Sequence, residues 1–267
     1  MKNVIIRALS GIVYVALIVA GILGGFNAYY GLALLLAVAA TIELHKIIDA
    51  NKVPSINLII DELISISIIT IPFYFCKFTV AVAICFILLR FATQLYIKNG
   101  NPIKELGNSS LVQLYISLPL AISVYLYSLT NSVLVFSIFL FIWLNDTGAF
   151  CIGTMFGKHR LFLRISPKKS WEGFWGGLIV CFIVAFLLKY YNILETDLNL
   201  MEYTIFSVVI SIFATFGDLI ESMLKRSLNI KDSGHIIPGH GGILDRIDSL
   251  LFVSPAIMLY LILIGNI

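Results

Sequence analysis

Charge is scarce in this chain. Only 12% of its 267 residues are Asp, Glu, Lys or Arg, where soluble domains carry about 25%. With 60% hydrophobic residues and a mean hydropathy of +0.99, that shortage excludes an ordinary soluble domain. Cysteine is scarce too: Cys76, Cys85, Cys151 and Cys181 stand in or beside apolar runs, with no paired metal-ligand spacing. Their absence from any His/Cys ligand set argues against zinc, and thiols packing as small hydrophobes are expected. No polar stretch is long enough for a separate soluble domain, and the alternation of a barrel strand is missing. No internal repeat is visible, which weakens a transporter built from duplicated halves. Lys2 and Arg7 precede an apolar run as in a signal peptide, yet no small-x-small cleavage pattern stands near Gly24. A retained first helix is expected.

What the chain has is apolar runs of helical length. Nine are placed, at 8–24, 29–44, 58–76, 78–96, 111–129, 133–152, 172–190, 203–222 and 249–265. The third carries Asp61 and Glu62 near its start and Pro72 near its end, and is the weakest of them. The fold class expected is all-α: a polytopic transmembrane bundle of about nine spans. With the N-terminus cytoplasmic and the C-terminus outside, 16 of the 18 Lys and Arg residues fall on the cytoplasmic face. This count takes Arg90 to lie in the cytoplasmic half of helix four. Only Lys77 and Lys189 lie opposite. An exterior loop with Glu195, Asp197 and Glu202 reads as an ordinary solvated connection.

Two cytoplasmic loops then stand out. One runs from Gly157 through Lys168, Lys169 and Ser170 to Glu172. The other, Gly217–Asp248, holds five of the chain's 15 acidic residues, four of its 18 basic ones and two of its four histidines. Asp218, Glu221, Ser222 and Lys225 share one helical face by their i, i+3, i+4, i+7 spacing. Asp218 follows a bilayer-type run, so its carboxylate must be paired, hydrogen-bonded or bound to a cation. A structural ion pair with Lys225 or Arg226 is the plain alternative. Gly239, Gly241 and Gly242 around His240 permit close backbone approach to an anion. Asp245 and Asp248 recur at i, i+3 where helix nine begins; one of them could be a simple cap.

Hard oxygen ligands among lysines and arginines suit Mg²⁺ bridging phosphate oxygens. Lys168 and Lys169, with Lys231 and Arg246, can neutralise a polyphosphate. Contact with anionic lipid headgroups serves equally for Lys158, Arg160 and Arg164, at about 1 kcal/mol per basic residue. Asn145-Asp146-Thr147-Gly148 closes helix six at the same face, with an ordinary C-terminal turn as its plain reading.

The spacing Ser222-x-x-Lys225-Arg226, four residues, Lys231-Asp232-x-Gly234, then Pro238-x-His240-Gly241-Gly242-x-x-Asp245-Arg246-x-Asp248 resembles the signature of phosphatidate cytidylyltransferases, the CDP-diacylglycerol synthases. Asp146-Thr147-Gly148-Ala149 and Ser166-Pro167-Lys168-Lys169-Ser170-Trp171-Glu172-Gly173 resemble that family's upstream segments. The N-terminal half resembles it only as apolar spans with an Arg7-to-Gly11 start. Phe150, where an aromatic hydroxyl is common, and the Arg160–Arg164 insert depart from the pattern, which bears on substrate preference.

The resemblance implies a magnesium-dependent reaction of CTP with phosphatidate, giving CDP-diacylglycerol and pyrophosphate. It implies Asp218 and Asp245 as the metal ligands. The assignment that follows gives phosphates to Lys225, Arg226, Lys231 and Arg246, and nucleotide or pyrophosphate to the His240, Gly241 and Gly242 loop. Substrate-binding places go to Asp146, Lys168, Lys169 and Ser222, and Lys225, Arg226, Arg246 and Asp248 form the catalytic set; Ser222, Glu221 and Asp248 serve as outer ligands or support the ligands from behind, with room for a second cation. One integral membrane domain, 1–267, is expected, with N-terminal helices at 1–130 and catalytic helices and loops at 131–267. The expected setting is a bacterial plasma membrane with the site facing the cytoplasm. CTP, phosphatidate and the bilayer are the partners; no nucleic acid is expected, and the oligomeric state stays open, a homodimer included. A CTP-dependent transferase or kinase acting on an isoprenoid phosphate, polyprenol or diacylglycerol is the near alternative. A transporter is the distant one, disfavoured because the charges gather at one face.

Overall fold

The computed structural model describes residues 2–48, 55–74, 77–97, 101–234 and 241–267. Nine helices form among the described residues: α1 (Lys2–Leu23), α2 (Phe26–Ile48), α3 (Ser55–Thr70), α4 (Lys77–Gln94), α5 (Pro102–Leu129), α6 (Ser132–Phe156), α7 (Trp171–Tyr190), α8 (Leu200–Ser227) and α9 (Leu244–Leu263). Each apolar segment of the sequence corresponds to one of them. Among the described residues searched, seven helices, α2 and α4 to α9, are long and apolar enough to cross a bilayer. The 16-residue α3 is shorter. At 1.5 Å per residue α3 reaches about 24 Å, against a hydrocarbon core of about 30 Å. The chain is a polytopic helical membrane protein.

Two compact units divide it: Met1–Ser128 with Asp232–Arg246, and Leu129–Lys231 with Ile247–Ile267. In the first, Ile22, Ala37, Ile64, Ile116 and Val124 form a fully enclosed apolar core. The acid that weakened the third apolar segment is paired here. Asp61, fully buried on α3, meets His45 Nε2 at 3.0 Å and Arg90 Nε at 3.3 Å, and accepts a hydrogen bond from Ser109. A carboxylate so enclosed is tolerated because the Arg90 guanidinium, an imidazole and a hydroxyl surround it. Helix α5 begins at Pro102, capped by the Asn101 side chain, and makes one π-type turn at Gln113–Ser117. There Gln113 Nε2 donates to Asp61 O at 3.1 Å.

The second unit packs α6 closely against α7. Gly148, Gly153, Gly173, Gly176 and Gly177 line this crossing; a Cβ on Gly173 would sit 2.9 Å from Ala149 O. Small residues at such a crossing let two helix backbones approach. Phe141, Tyr203 and Phe206 fill the core beside it, with Phe141 and Tyr203 ring centroids 5.6 Å apart. Helix α8 opens on a capping box: Asn199 accepts from Glu202 N at 2.9 Å and Glu202 Oε2 from Asn199 N at 2.8 Å. Glu202 is thus part of a helix start and not of a solvated loop.

Three further expectations are corrected. Asn145–Gly148 does not close helix six, because α6 continues to Phe156 and Gly157 takes the C-cap. No breaker follows Gly148, whose lack of a side chain serves the α7 contact instead. The loop before α7 is not irregular: Arg160–Phe162 (β1) pairs antiparallel with Ser166–Ser170 (β2). Of the described cysteines only Cys181 is buried; Cys85 and Cys151 are exposed on helices, where a bilayer can take the place of packing. Cys76 lies outside the described residues.

Candidate active site

In the second unit, helices α6, α7 and α8 and the β1–β2 hairpin converge on one cavity. The β1–β2 hairpin is anchored at its base: Trp171 N donates to His159 O at 2.9 Å, and Ser170 Oγ caps α7 by accepting from Gly173 N at 3.1 Å. His159 is held to Glu172, its backbone N at 3.2 Å and its Nδ1 at 2.7 Å. These contacts fix β2, so that Lys169 reaches α8 and its Nζ meets Asp218 Oδ2 at 2.6 Å. Helix α6 is bolted to α8 by Asn145, which accepts from Ser211 Oγ at 2.6 Å and donates to Thr215 Oγ1 at 3.3 Å. The cavity, about 520 Å³ and open on one side, is lined by Asp146, Phe150, Arg160, Lys168, Lys169 and Asp218 among others. Its wall therefore offers both signs of charge beside aromatic surface.

Behind Asp218 lies a group of three carboxylates. Asp218, Glu221 and Asp248 each offer one oxygen, and these oxygens lie within 4.8 Å of one another. Their approach depends on Gly217: a Cβ there would stand 2.6 Å from Asp248 O and 2.9 Å from Ser249 Cα. Glycine lets the backbone of α8 lie directly against this turn of α9. Glu221 and Asp248 are buried, and neighbouring groups hold the cluster in place: Ser222 Oγ donates to Asp218 Oδ1 at 3.2 Å and Lys225 Nζ meets Glu221 Oε2 at 2.7 Å. Three hard oxygens at this spacing suit a magnesium ion, which takes carboxylates and keeps waters for its other positions.

The sequence-based assignments distribute unevenly over this geometry. Asp146, Lys168, Lys169 and Asp218 share the cavity wall, and Ser222 and Lys225 support the acidic group. Asp218 pairs with Lys169, not with Lys225 or Arg226. Arg226 donates to the carbonyls of Ile230, at 3.2 Å, and Ile165, at 3.5 Å, which ties the end of α8 to the hairpin turn. Lys231 is exposed. Glu221, expected as an outer ligand, stands in the acidic group itself. Asn145 was not singled out beyond its turn; a lone amide inside a 25-residue apolar helix was the available signal.

The remaining assignments belong to the first unit. Asp245 Oδ2 accepts from Ser233 N at 3.1 Å and Gly242 N at 2.9 Å, which closes the segment on itself. Gly241 has φ +87°, a left-handed conformation, and a Cβ on it would stand 2.5 Å from Asp245 Oδ2. Tyr14 Oη donates to Arg246 O at 2.8 Å. His240 lies outside the described residues.

Comparison with known proteins returns one family and a consistent set of relatives. The model of the cytidylyltransferase family matches residues 5–264. A phosphatidate cytidylyltransferase of Staphylococcus haemolyticus is 48% identical over 124 residues, 46% of this chain and 47% of the relative. That of Staphylococcus saprophyticus is 44% identical over 140 residues, 52% of this chain and 53% of the relative. One from Staphylococcus aureus is 48% identical over 126 residues, covering 46% and 47%. The chain spans about half the length of the curated relatives it matches.

Proposed function

The chain belongs to the cytidylyltransferase family, and on that premise we propose that it transfers the cytidylyl group of CTP to phosphatidate. A phosphate oxygen of the lipid attacks the α-phosphorus of CTP, the bond from that phosphorus to the β-phosphate breaks, and pyrophosphate leaves. CDP-diacylglycerol is the second product. The observation that carries this reading is the cavity of the second unit, where Lys168, Lys169 and Arg160 face Asp146 and Asp218 beside the three-carboxylate group. Relatives of about half-chain similarity named phosphatidate cytidylyltransferase agree with it.

Such a transfer needs placement and charge neutralisation more than a covalent nucleophile, because phosphatidate brings its own anionic oxygen. Lys168 and Lys169 bind phosphate oxygens in the cavity. The Lys169–Asp218 pair is about a third exposed, with side chains at 28% and 34%, and such pairs contribute only about 0.2–1 kcal/mol. Lys169 is therefore cheaply released from Asp218 to an arriving phosphate. Asp218, Glu221 and Asp248 are the residues that would hold Mg²⁺, with Asp245 as the further ligand the family resemblance implies. Magnesium bound there would neutralise phosphate charge and draw density from the reacting phosphorus. Lys225 orients Glu221, and Ser222 does the same for Asp218. The site faces the cytoplasm, where the basic residues concentrate and CTP is found.

Purified protein in detergent, given CTP and Mg²⁺ with phosphatidate, an isoprenoid phosphate, a polyprenol or diacylglycerol in turn, tests the reading. CDP-diacylglycerol from phosphatidate alone supports it. A phosphorylated lipid with CDP as the second product would identify a kinase instead.

A further inference from the structure

Two described stretches of the family signature, Asp232–Gly234 and Gly241–Arg246, are held in part from far back in the chain, on α2. Glu43 is buried there at 3% exposure. Its Oε2 accepts from Ser233 Oγ at 3.2 Å and from Leu244 N at 2.8 Å, joining the two stretches. Leu244 opens α9, so Glu43 caps that helix with a carboxylate supplied by another helix. Its other oxygen, Oε1, has no hydrogen-bond partner and fills the space that side chains on Gly234 and Gly242 would need: a Cβ at either would collide with it. Asp245 ties the same two stretches again through Ser233 N and Gly242 N.

Packing alone does not call for this choice of residue. A carboxylate in such a place is costly unless donors meet it, and an apolar side chain would fill the volume without that cost. What a side-chain carbonyl oxygen adds is directed hydrogen bonding to two points, Ser233 Oγ and Leu244 N. We propose that Glu43 is a positioning residue: by clasping Ser233 and Leu244 it sets these two stretches against each other, and so the placement of Asp245 and Arg246. Its effect on turnover rests on the reading of those stretches as part of a cytidylyltransferase site; its effect on the stretches themselves does not.

The test uses the full chain in detergent, with Glu43→Ala, Glu43→Gln and Ser233→Ala compared by hydrogen exchange and by CTP kinetics. In Glu43→Ala, exchange at the Leu244 amide is expected to rise about tenfold or more while peptides from α7 are unchanged. The ratio kcat/KM is expected to fall on the order of a hundredfold, as misplacement of about 1 Å can cause. Glu43→Gln, whose amide oxygen still accepts from Leu244 N, is expected to recover most of both. Ser233→Ala removes one of the two bonds and should show a smaller shift of the same kind, even if Glu43→Ala fails to fold. Native exchange at Leu244 in folded Glu43→Ala overturns the proposal. So does an activity loss that Glu43→Gln does not rescue and that simply follows the folded fraction. A wild-type chain inactive toward CTP and phosphatidate counts against the functional reading only; the exchange comparison then decides the role of Glu43 by itself.

Discussion

Substitution of Gly217 by alanine isolates the geometry of the acidic group without touching any of its carboxylates. The added Cβ would lie 2.6 Å from Asp248 O, and relief to an ordinary 3.4 Å contact requires α8 and this turn of α9 to part by about 0.8 Å. Both obstacles are backbone, Asp248 O and Ser249 Cα at 2.9 Å, so no rotamer change can absorb the displacement. Overpacking of this kind costs about 1–3 kcal/mol of stability, which a multi-helix bundle can survive. Asp218 and Asp248 must then separate by a comparable distance, and reaction geometry loosened by about 1 Å costs up to roughly 10²-fold in rate. The expected result is a folded protein with turnover reduced about ten- to a hundredfold and a higher magnesium concentration for half-maximal activity. Turnover against Mg²⁺ concentration, alongside thermal unfolding in detergent, measures both. Gly107→Ala, where nothing lies within 4 Å of a Cβ, is the control. Wild-type turnover and an unchanged magnesium midpoint in folded Gly217→Ala would refute the assignment of the metal to this group.

Asp218→Asn and Asp245→Asn should each abolish CDP-diacylglycerol formation while the protein still inserts and elutes as a folded species; full activity in either removes that residue from the metal assignment. Lys169→Ala should lower kcat/KM for CTP by about one to two orders of magnitude. It should also leave the unfolding midpoint nearly unchanged, since a partly exposed pair contributes at most about 1 kcal/mol. Asp61→Asn should act the other way, destabilising the first unit by about 3–5 kcal/mol because the buried Arg90 loses its counter-charge, as read from thermal unfolding. A cysteine introduced at Lys168 should react with a membrane-impermeant thiol reagent only from the cytoplasmic side of oriented vesicles. Labelling from the exterior would reverse the orientation.

The helices were legible because each announces itself by an apolar run, and every run placed from the residues became a helix. Their ends were less so. Helix α6 reaches Phe156 and α8 reaches Ser227 because polar residues such as Asp146, Lys225 and Arg226 sit readily in a helix that emerges from apolar surroundings. The β1–β2 hairpin was hidden for a different reason. Its strands are three and five residues long, one contains Pro167, and pairing rather than pattern defines them. Among the site residues, spacing alone put Asp218, Glu221, Ser222 and Lys225 on one helix face, and the structure uses all four together. The Lys169–Asp218 pair spans two segments far apart in sequence, so no local periodicity encodes it. Glu43 and Asp61 each left one trace, an acid inside an apolar run, but the trace names no partner. Only the fold supplies Ser233 and Leu244 for the one, and His45 and Arg90 for the other.

Transfer of label from CTP tests the central claim most directly. With phosphatidate, Mg²⁺ and the purified chain, phosphorus from the α-position of CTP should enter the lipid fraction as CDP-diacylglycerol. Phosphorus from the γ-position should remain in water as pyrophosphate. Appearance of the γ-label in lipid, or of neither label, would contradict a cytidylyl transfer to phosphatidate.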